Sequence, residues 1–148
     1  MDLIYKMALV APDADGKAAD GRTPFVASTA AVDRERDVIE QESWSLDRYR
    51  SNPIVPWCHQ SYSPPVGRAE VAVMDGVLRG EVEWDDHESN ELGRLVAHQY
   101  RERFLSAFSV GFRPHIRTLR SELPTDHPAH GEGGYLFRDC ELYEISAV

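Results

Sequence analysis

The chain has 148 residues and carries 25 acidic against 16 basic side chains, a formal net charge of −9. This length is sufficient to bury the core of one domain without a disulfide or a metal staple. The acidic balance argues against a nucleic-acid-binding surface, because phosphate binding needs a concentrated face of Lys and Arg. No segment has the pattern of a signal peptide or the about 20 apolar residues of a membrane span. We therefore expect one cytoplasmic domain over residues 1–148 with no nucleic-acid or membrane partner.

The two cysteines are Cys58 and Cys140, and neither belongs to a closely spaced pair of the kind that marks a zinc site or a redox motif. This usage indicates a reducing compartment. We expect both thiols to be free and buried.

The first quarter of the chain predicts two strands and two turns. Residues 3–10 and 25–30 have β character, and the Pro, Asp and Gly residues at 12–16 favour a turn. Residues 33–37 form a charged stretch, for which we prefer a solvated turn to a metal-binding acidic cluster.

The next stretch brings the first histidine of interest. A short helix is predicted around residues 46–49, and it must end before Pro53 because proline cannot continue the helical ladder. Residues 54–59 then read as an apolar strand that ends in His59, followed by a Pro-rich loop. An imidazole at a strand end can titrate and meet a substrate, although a hydrogen-bonded structural histidine is the alternative.

The clearest local signals lie in the middle of the chain. Asp75-Gly76 separates two alternating segments and predicts a β-hairpin. A helix is predicted from residue 88 to about residue 103, with Asp85 and Glu88 at capping-box spacing. Its apolar stripe comprises Leu92, Leu95, Val96, Ala97 and Tyr100.

Two serines stand in the apolar stretch 104–112, and Gly111 follows the second of them. A serine in such a strand is either packed or catalytic, and a nearby glycine lets a substrate backbone approach closely. Ser109 is the preferred candidate and Ser106 the alternative.

The remaining segments are a long loop and a last strand. Residues 118–134 are rich in Pro, Gly and His, which predicts a flexible loop. In the last strand Leu142, Glu144 and Ser146 are expected to share one face. The chain ends in apolar sequence, from which we expect a truncated or processed C-terminus.

Together these elements predict a β-rich α+β fold. We expect a mostly antiparallel sheet that closes on itself as a small barrel, with the helix at 88–103 as the main helix packed outside.

His59, Ser109 and Glu144 supply the parts of a nucleophilic hydrolase. A hydroxyl is a poor nucleophile unless an imidazole accepts its proton, and a third group must hold the tautomer of that imidazole. The order of the three residues along the chain is permitted but not diagnostic, because catalytic triads occur in several orders.

The sequence also resembles the prohead proteases of tailed bacteriophages, which are distant relatives of the herpesvirus assembly proteases. The resemblance spans about residues 25–148. It rests on the order and spacing of Ala27-Ser28-Thr29 before Asp33, Asp37-Val38-Ile39, the strand reaching His59, Pro65-Val66-Gly67, the hairpin through Leu78 and Gly80, Ser109-Val110-Gly111-Phe112, and Leu142-Tyr143-Glu144-Ile145-Ser146-Ala147-Val148.

This resemblance implies a herpesvirus-protease-like fold with Ser109 as nucleophile, His59 as general base and Glu144 as the third member, where the herpesvirus enzymes have a second His. Backbone N–H groups near Ser109 and the Arg113 side chain would stabilise the oxyanion. No cofactor or metal is implied. The implied substrates are capsid and scaffolding proteins, and the protease itself, inside the assembling procapsid in the host cytoplasm. Self-association is a further implied property.

The chain departs from the family pattern at Gln60, where an acidic or small residue is common, and the resemblance does not extend to residues 118–134. Two other classes stay open. One is a zinc-dependent hydrolase or zinc-binding module, and the other is a non-catalytic capsid- or scaffold-binding module of the same fold. Cys58 is a remote alternative nucleophile, and we expect it and Ser106 to be packed. The zinc ligands would come from Cys58, His59, His127, His130 and Cys140.

Overall fold

The alternating segments of the sequence form one curled, mixed sheet. In the computed structural model, which describes residues 2–10 and 21–148, eight strands pair in the order β3-β8-β7-β1-β2-β6-β5-β4. The turn predicted at residues 12–16 lies outside the described residues. The strands are β1 (Ile4–Val10), β2 (Thr23–Ser28), β3 (Val38–Ile39), β4 (Ile54–Val55), β5 (Gly67–Met74), β6 (Val77–Trp84), β7 (Ala107–Leu119) and β8 (Tyr135–Ala147).

The β-rich α+β class is confirmed, but the expected closed antiparallel barrel is wrong. The short strand β3 runs parallel to β8 at one end of the sheet. At the other end, β4 ends at Val55, and the backbone pairing of the following residues with β8 is limited to an isolated parallel bridge between Trp57 and Ala147. Pro56 lacks the N–H that a longer ladder needs, so the predicted strand over residues 54–59 stops after two residues.

The hairpin prediction is confirmed. Strands β5 and β6 pair along their full length, and Asp75 and Gly76 connect them with φ values of 53° and 71°. Two successive positive φ angles are the mark of a type I′ turn, whose twist matches that of the flanking strands.

Two α-helices lie among the described residues, α1 (Asp47–Ser51) and α2 (Glu91–Arg101). Both were expected, but the start of α2 differs from the prediction. The Asn90 side chain caps α2 by accepting a hydrogen bond from the Gly93 N–H, so the expected capping pair of Asp85 and Glu88 is wrong.

The buried face of α2 also differs in part. Val96, Ala97 and Tyr100 are buried as predicted, whereas Leu92 and Leu95 are exposed. No helix within residues 2–10 and 21–148 is long and apolar enough to cross a membrane.

The main core packs against one face of the curled sheet. Phe108 and Val110 of β7 belong to this core, together with Phe25, and Trp84 stacks on Tyr100 with ring centroids 4.8 Å apart. We call the opposite face of the sheet the outer face.

A β-bulge in β8 changes which side chains reach the outer face. Gly111 pairs with Glu144 and Phe112 pairs with Leu142, so Tyr143 is an extra residue in β8. The extra residue turns Leu142 into the core, and the expectation that Leu142 shares a face with Glu144 is therefore wrong.

The segment 118–134 folds around a buried guanidinium. Its first two residues end β7, and a 3-10 helix follows at Arg120–Glu122. The Arg120 side chain donates hydrogen bonds to the backbone carbonyls of Arg36, Ala129 and Gly133. The flexibility of this segment stays a prediction.

Candidate active site

Ser109 lies on the outer face at the centre of the sheet. Side chains alternate along a strand, and the neighbours Phe108 and Val110 point into the core. Ser109 pairs with Met7 of β1 on one side and with Ser146 of β8 on the other. The residue keeps 8% of its surface exposed, so access to its hydroxyl is narrow.

The next row along the sheet brings in the second candidate residue. Gly111 pairs with Tyr5 of β1 and with Glu144 of β8. Glu144 is diagonal to Ser109 across the β7–β8 pair, a relation that separates side chains by about 7–8 Å.

His59 and Glu144 contact each other although 85 residues separate them in the chain. The atoms in contact are His59 Nδ1 and Glu144 Oε1, and the two side chains keep 40% and 19% of their surfaces exposed. A carboxylate at Nδ1 fixes the tautomer that leaves Nε2 to accept a proton, which is the connection found in serine-protease triads.

The end of β8 holds the backbone of His59 in place. The His59 N–H donates to Ser146 Oγ at 3.0 Å, and that hydroxyl donates to the Pro56 carbonyl at 3.1 Å. The Cys58 N–H donates to the Ala147 carbonyl at 2.8 Å. Cys58 and His59 have φ values of 46° and 61°, a conformation that side-chain-bearing residues adopt at a cost. These hydrogen bonds stabilise what we call the 58–59 turn.

Tyr5 packs against the other side of the imidazole. The rings of Tyr5 and His59 meet edge to face, with centroids 4.8 Å apart and an angle of 72° between planes. The Tyr5 ring also covers Gly111, where an added Cβ would lie 2.7 Å from Tyr5 Cε1. Burial, and then the negative charge of Glu144, raise the pKa of the Tyr5 hydroxyl, which therefore stays neutral beside the carboxylate.

The structure thus brings the three predicted residues to one face of the sheet but joins only two of them. No hydrogen bond links the Ser109 hydroxyl to His59, and their catalytic roles stay predictions. Tyr5 and Ser146 are neighbours of the imidazole that were not predicted from the sequence. The alternation in Glu144-Ile145-Ser146 could have placed Ser146 on the face of Glu144, whereas no local signal marks Tyr5.

The alternative nucleophiles occupy other environments. Ser106 is exposed between α2 and β7, and Cys58 is exposed in the 58–59 turn, so the expectation that both are packed is wrong. Cys140 is buried as expected, and burial raises the pKa of its thiol to about 12. The Cys140 thiolate is therefore scarce at neutral pH.

The proposed zinc ligands are not brought together in the part of the chain that the structure describes. His127 Nδ1 accepts a hydrogen bond from the Ala129 N–H, and His130 Nδ1 lies 3.0 Å from the Leu123 carbonyl oxygen. Cys140 packs in an apolar cluster with Phe112 and Phe137.

Across residues 2–10 and 21–148, the one group of three possible ligand residues is Asp33, Glu35 and Asp37. Lys6 contacts all three, and its Nζ lies 2.8 Å from Asp33 and 2.9 Å from Asp37. Asp37 is buried rather than solvated, in contrast to the simple solvated turn expected there. The ammonium of Lys6 holds the central position of this acidic group.

Comparison of the chain with family models, with curated proteins and with solved structures gave no match.

Proposed function

We propose that the protein is a serine endopeptidase that cleaves scaffolding segments of capsid-assembly proteins, and itself, during phage procapsid maturation. The contact between His59 Nδ1 and Glu144, on the same sheet face as Ser109, is the observation that carries the catalytic part of this proposal. The resemblance to prohead proteases supports the substrate class, the procapsid as the location, self-association and a herpesvirus-protease-like architecture.

The reaction is acyl transfer. His59 Nε2 takes the proton of the Ser109 hydroxyl as Oγ attacks a peptide carbonyl, and then gives that proton to the leaving amine. Water hydrolyses the acyl-enzyme by the same proton route. Glu144 keeps the imidazole oriented and stabilises its protonated form. Backbone N–H groups near Ser109, with the Arg113 side chain, are the oxyanion donors that the resemblance implies. Because residues 108–112 of β7 pair with β1 and β8 and the Arg113 guanidinium lies over the Tyr143 ring, these donors must leave those contacts to serve.

One step of this cycle requires movement. The Ser109 hydroxyl and the imidazole must come within hydrogen-bonding reach, and catalytic hydrogen bonds often tighten only when substrate is bound. The His59 side chain is 40% exposed and so is not packed on every side, and the mechanism requires its ring to move toward Ser109 while Nδ1 stays on Glu144.

A second candidate function is a non-catalytic module that binds capsid or scaffolding proteins. The small exposed fraction of Ser109, 8%, and its lack of a hydrogen bond to His59 favour this alternative. It requires none of the three residues to react.

Mass-spectrometric mapping of new peptide termini separates the two functions. The full chain is incubated with a peptide library derived from a bacterial proteome, alongside the Ser109→Ala and Ser106→Ala variants. The endopeptidase predicts new termini for the parent and for Ser106→Ala, and none above background for Ser109→Ala. Equal cleavage by the parent and Ser109→Ala would exclude Ser109 as nucleophile, and no cleavage by any of the three favours the binding module.

A further inference from the structure

Two sides of Ser109 are closed among the described residues. On the β8 side, Ser146 has 0% exposure, because the 58–59 turn covers it and its hydroxyl bonds to His59 and Pro56. Along β7, the Tyr5 ring covers Gly111. The sides that stay open are those of Met7 on the neighbouring strand β1 and of the partly buried Ala107 on β7, which itself pairs with Leu9 of β1. A peptide that reaches the Ser109 hydroxyl from either side lies beside β1.

The β1 side presents two exposed apolar side chains. Met7, the direct partner of Ser109, is 68% exposed, and Leu9, two residues further on the same face, is 58% exposed. Leu9 pairs with Ala107 and with Val26, so its direct neighbours on this face are also apolar, and the exposed Arg79 lies one strand further on, opposite Val26. We call Met7 and Leu9 the β1 strip.

We propose that the β1 strip binds an apolar side chain of the substrate residue whose carbonyl Ser109 attacks. This inference rests on the proposed endopeptidase function and names the substrate class of that same site. Directly paired positions on a sheet face lie about 4.5–5.5 Å apart. When the carbonyl of a substrate residue lies over Ser109, the side chain of that residue can therefore reach Met7. The strip begins at Met7, which pairs directly with Ser109, so a peptide bound at the candidate site also lies against the strip. We therefore take a side chain of that peptide as the occupant of the strip.

The charges near the strip favour an apolar occupant over a charged one. Lys6 adjoins Met7, but its side chain lies on the other face and is paired with Asp33, Glu35 and Asp37. A carboxylate placed on Met7 would lose hydration without gaining this cation as a partner. An apolar side chain there gains from the removal of apolar surface from water.

Peptide diphenyl phosphonates test the inference, since they phosphonylate a reactive serine and carry a chosen side chain beside the phosphorus. Two probes are compared, with Leu or Asp at that position, and intact mass gives the labelling rate of the full chain. We expect the Leu probe to label the parent about tenfold faster than the Asp probe, the discrimination that an apolar pocket provides. Met7→Lys should lower the rate for Leu and raise the rate for Asp.

The matched control is Met74→Lys, because Met74 is another exposed methionine, 55% exposed, and lies on β5. This variant should keep the parent preference. Leu9→Lys gives a second test of the strip, and unchanged urea midpoints show that the variants are folded. Equal labelling rates for the two probes, or an unchanged preference for Leu in both Met7→Lys and Leu9→Lys, would overturn the inference about the β1 strip. In either case, labelling at Ser109 would still support the proposed endopeptidase function. If neither probe labels Ser109, the endopeptidase proposal fails and the inference fails with it.

Discussion

Removal of the Ser146 hydroxyl should loosen the 58–59 turn by a calculable amount. In Ser146→Ala the Pro56 carbonyl keeps a partner, because it also accepts from the Ala147 N–H at 2.9 Å. The His59 N–H loses the 3.0 Å hydrogen bond to Ser146. Loss of an ordinary hydrogen bond costs about 0.5–1.5 kcal/mol of unfolding free energy and an unsatisfied buried donor about 1–3 kcal/mol, so for this partly buried bond we expect a loss of about 1–2 kcal/mol. A displacement of the imidazole by about 1 Å should also lower peptidase activity by about a hundredfold.

Urea unfolding followed by tryptophan fluorescence measures the first effect, since Trp57 lies beside the turn and is partly buried. The control is Ser51→Ala, whose hydroxyl donates to the Arg48 carbonyl at 2.7 Å on the exposed surface. That variant should stay within about 0.5 kcal/mol of the parent. If Ser146→Ala is as stable as Ser51→Ala, the hydroxyl does not hold the turn and the reasoning is wrong.

Three further substitutions probe the surroundings of the site and the acidic group of Asp33, Glu35 and Asp37. Gly111→Ala should displace the Tyr5 ring, because the new Cβ would lie 2.7 Å from Tyr5 Cε1. We expect a clear loss of peptidase activity with only a small change in urea midpoint, and equal activity of the variant and the parent would contradict this. Glu144→Gln should leave partial activity with a changed pH profile, and a profile identical to that of the parent would contradict an orienting role for the carboxylate. Burial acts to raise the pKa of Asp33, but hydrogen bonds from Lys6 and from the backbone outweigh it and lower the pKa below 3.8. The pairing of the Asp33 carboxylate with Lys6 therefore stabilises the folded state fully above pH 3.8, and this stabilisation is lost as the pH falls through the lower folded-state pKa. The difference in urea midpoint between the parent and Lys6→Met should accordingly become smaller in acid, and a larger difference in acid would contradict this.

The hairpin and the two helices could be predicted from the sequence because the residues that determine each of them are consecutive in the chain. Asp75-Gly76 supplies the two positive φ angles of its turn, and the alternation around it leaves little choice of register. The closed barrel was wrong because closure depends on how β4 meets β8, where Pro56 and the 58–59 turn leave only an isolated bridge. No periodic pattern encodes that contact.

At the candidate site, too, some residues were predicted from the sequence and contacts between distant strands were not. His59 contacts Glu144, and these are two of the three residues that the motifs grouped. The face predicted for Leu142 was wrong because a bulge inserts Tyr143 into β8. Tyr5 was missed because its contact with His59 depends on β1 lying beside β7 in the sheet. A contact between distant strands leaves no mark on either segment.

Labelling with a fluorophosphonate, followed by mass-spectrometric mapping of the adduct, tests most directly whether Ser109 and His59 act together. The account predicts one adduct, on Ser109, in the parent chain, and at least a hundredfold slower labelling in a folded His59→Ala variant, on the order of the contribution of a general base. An adduct on Ser106, or labelling of Ser109 at the same rate without His59, would contradict it.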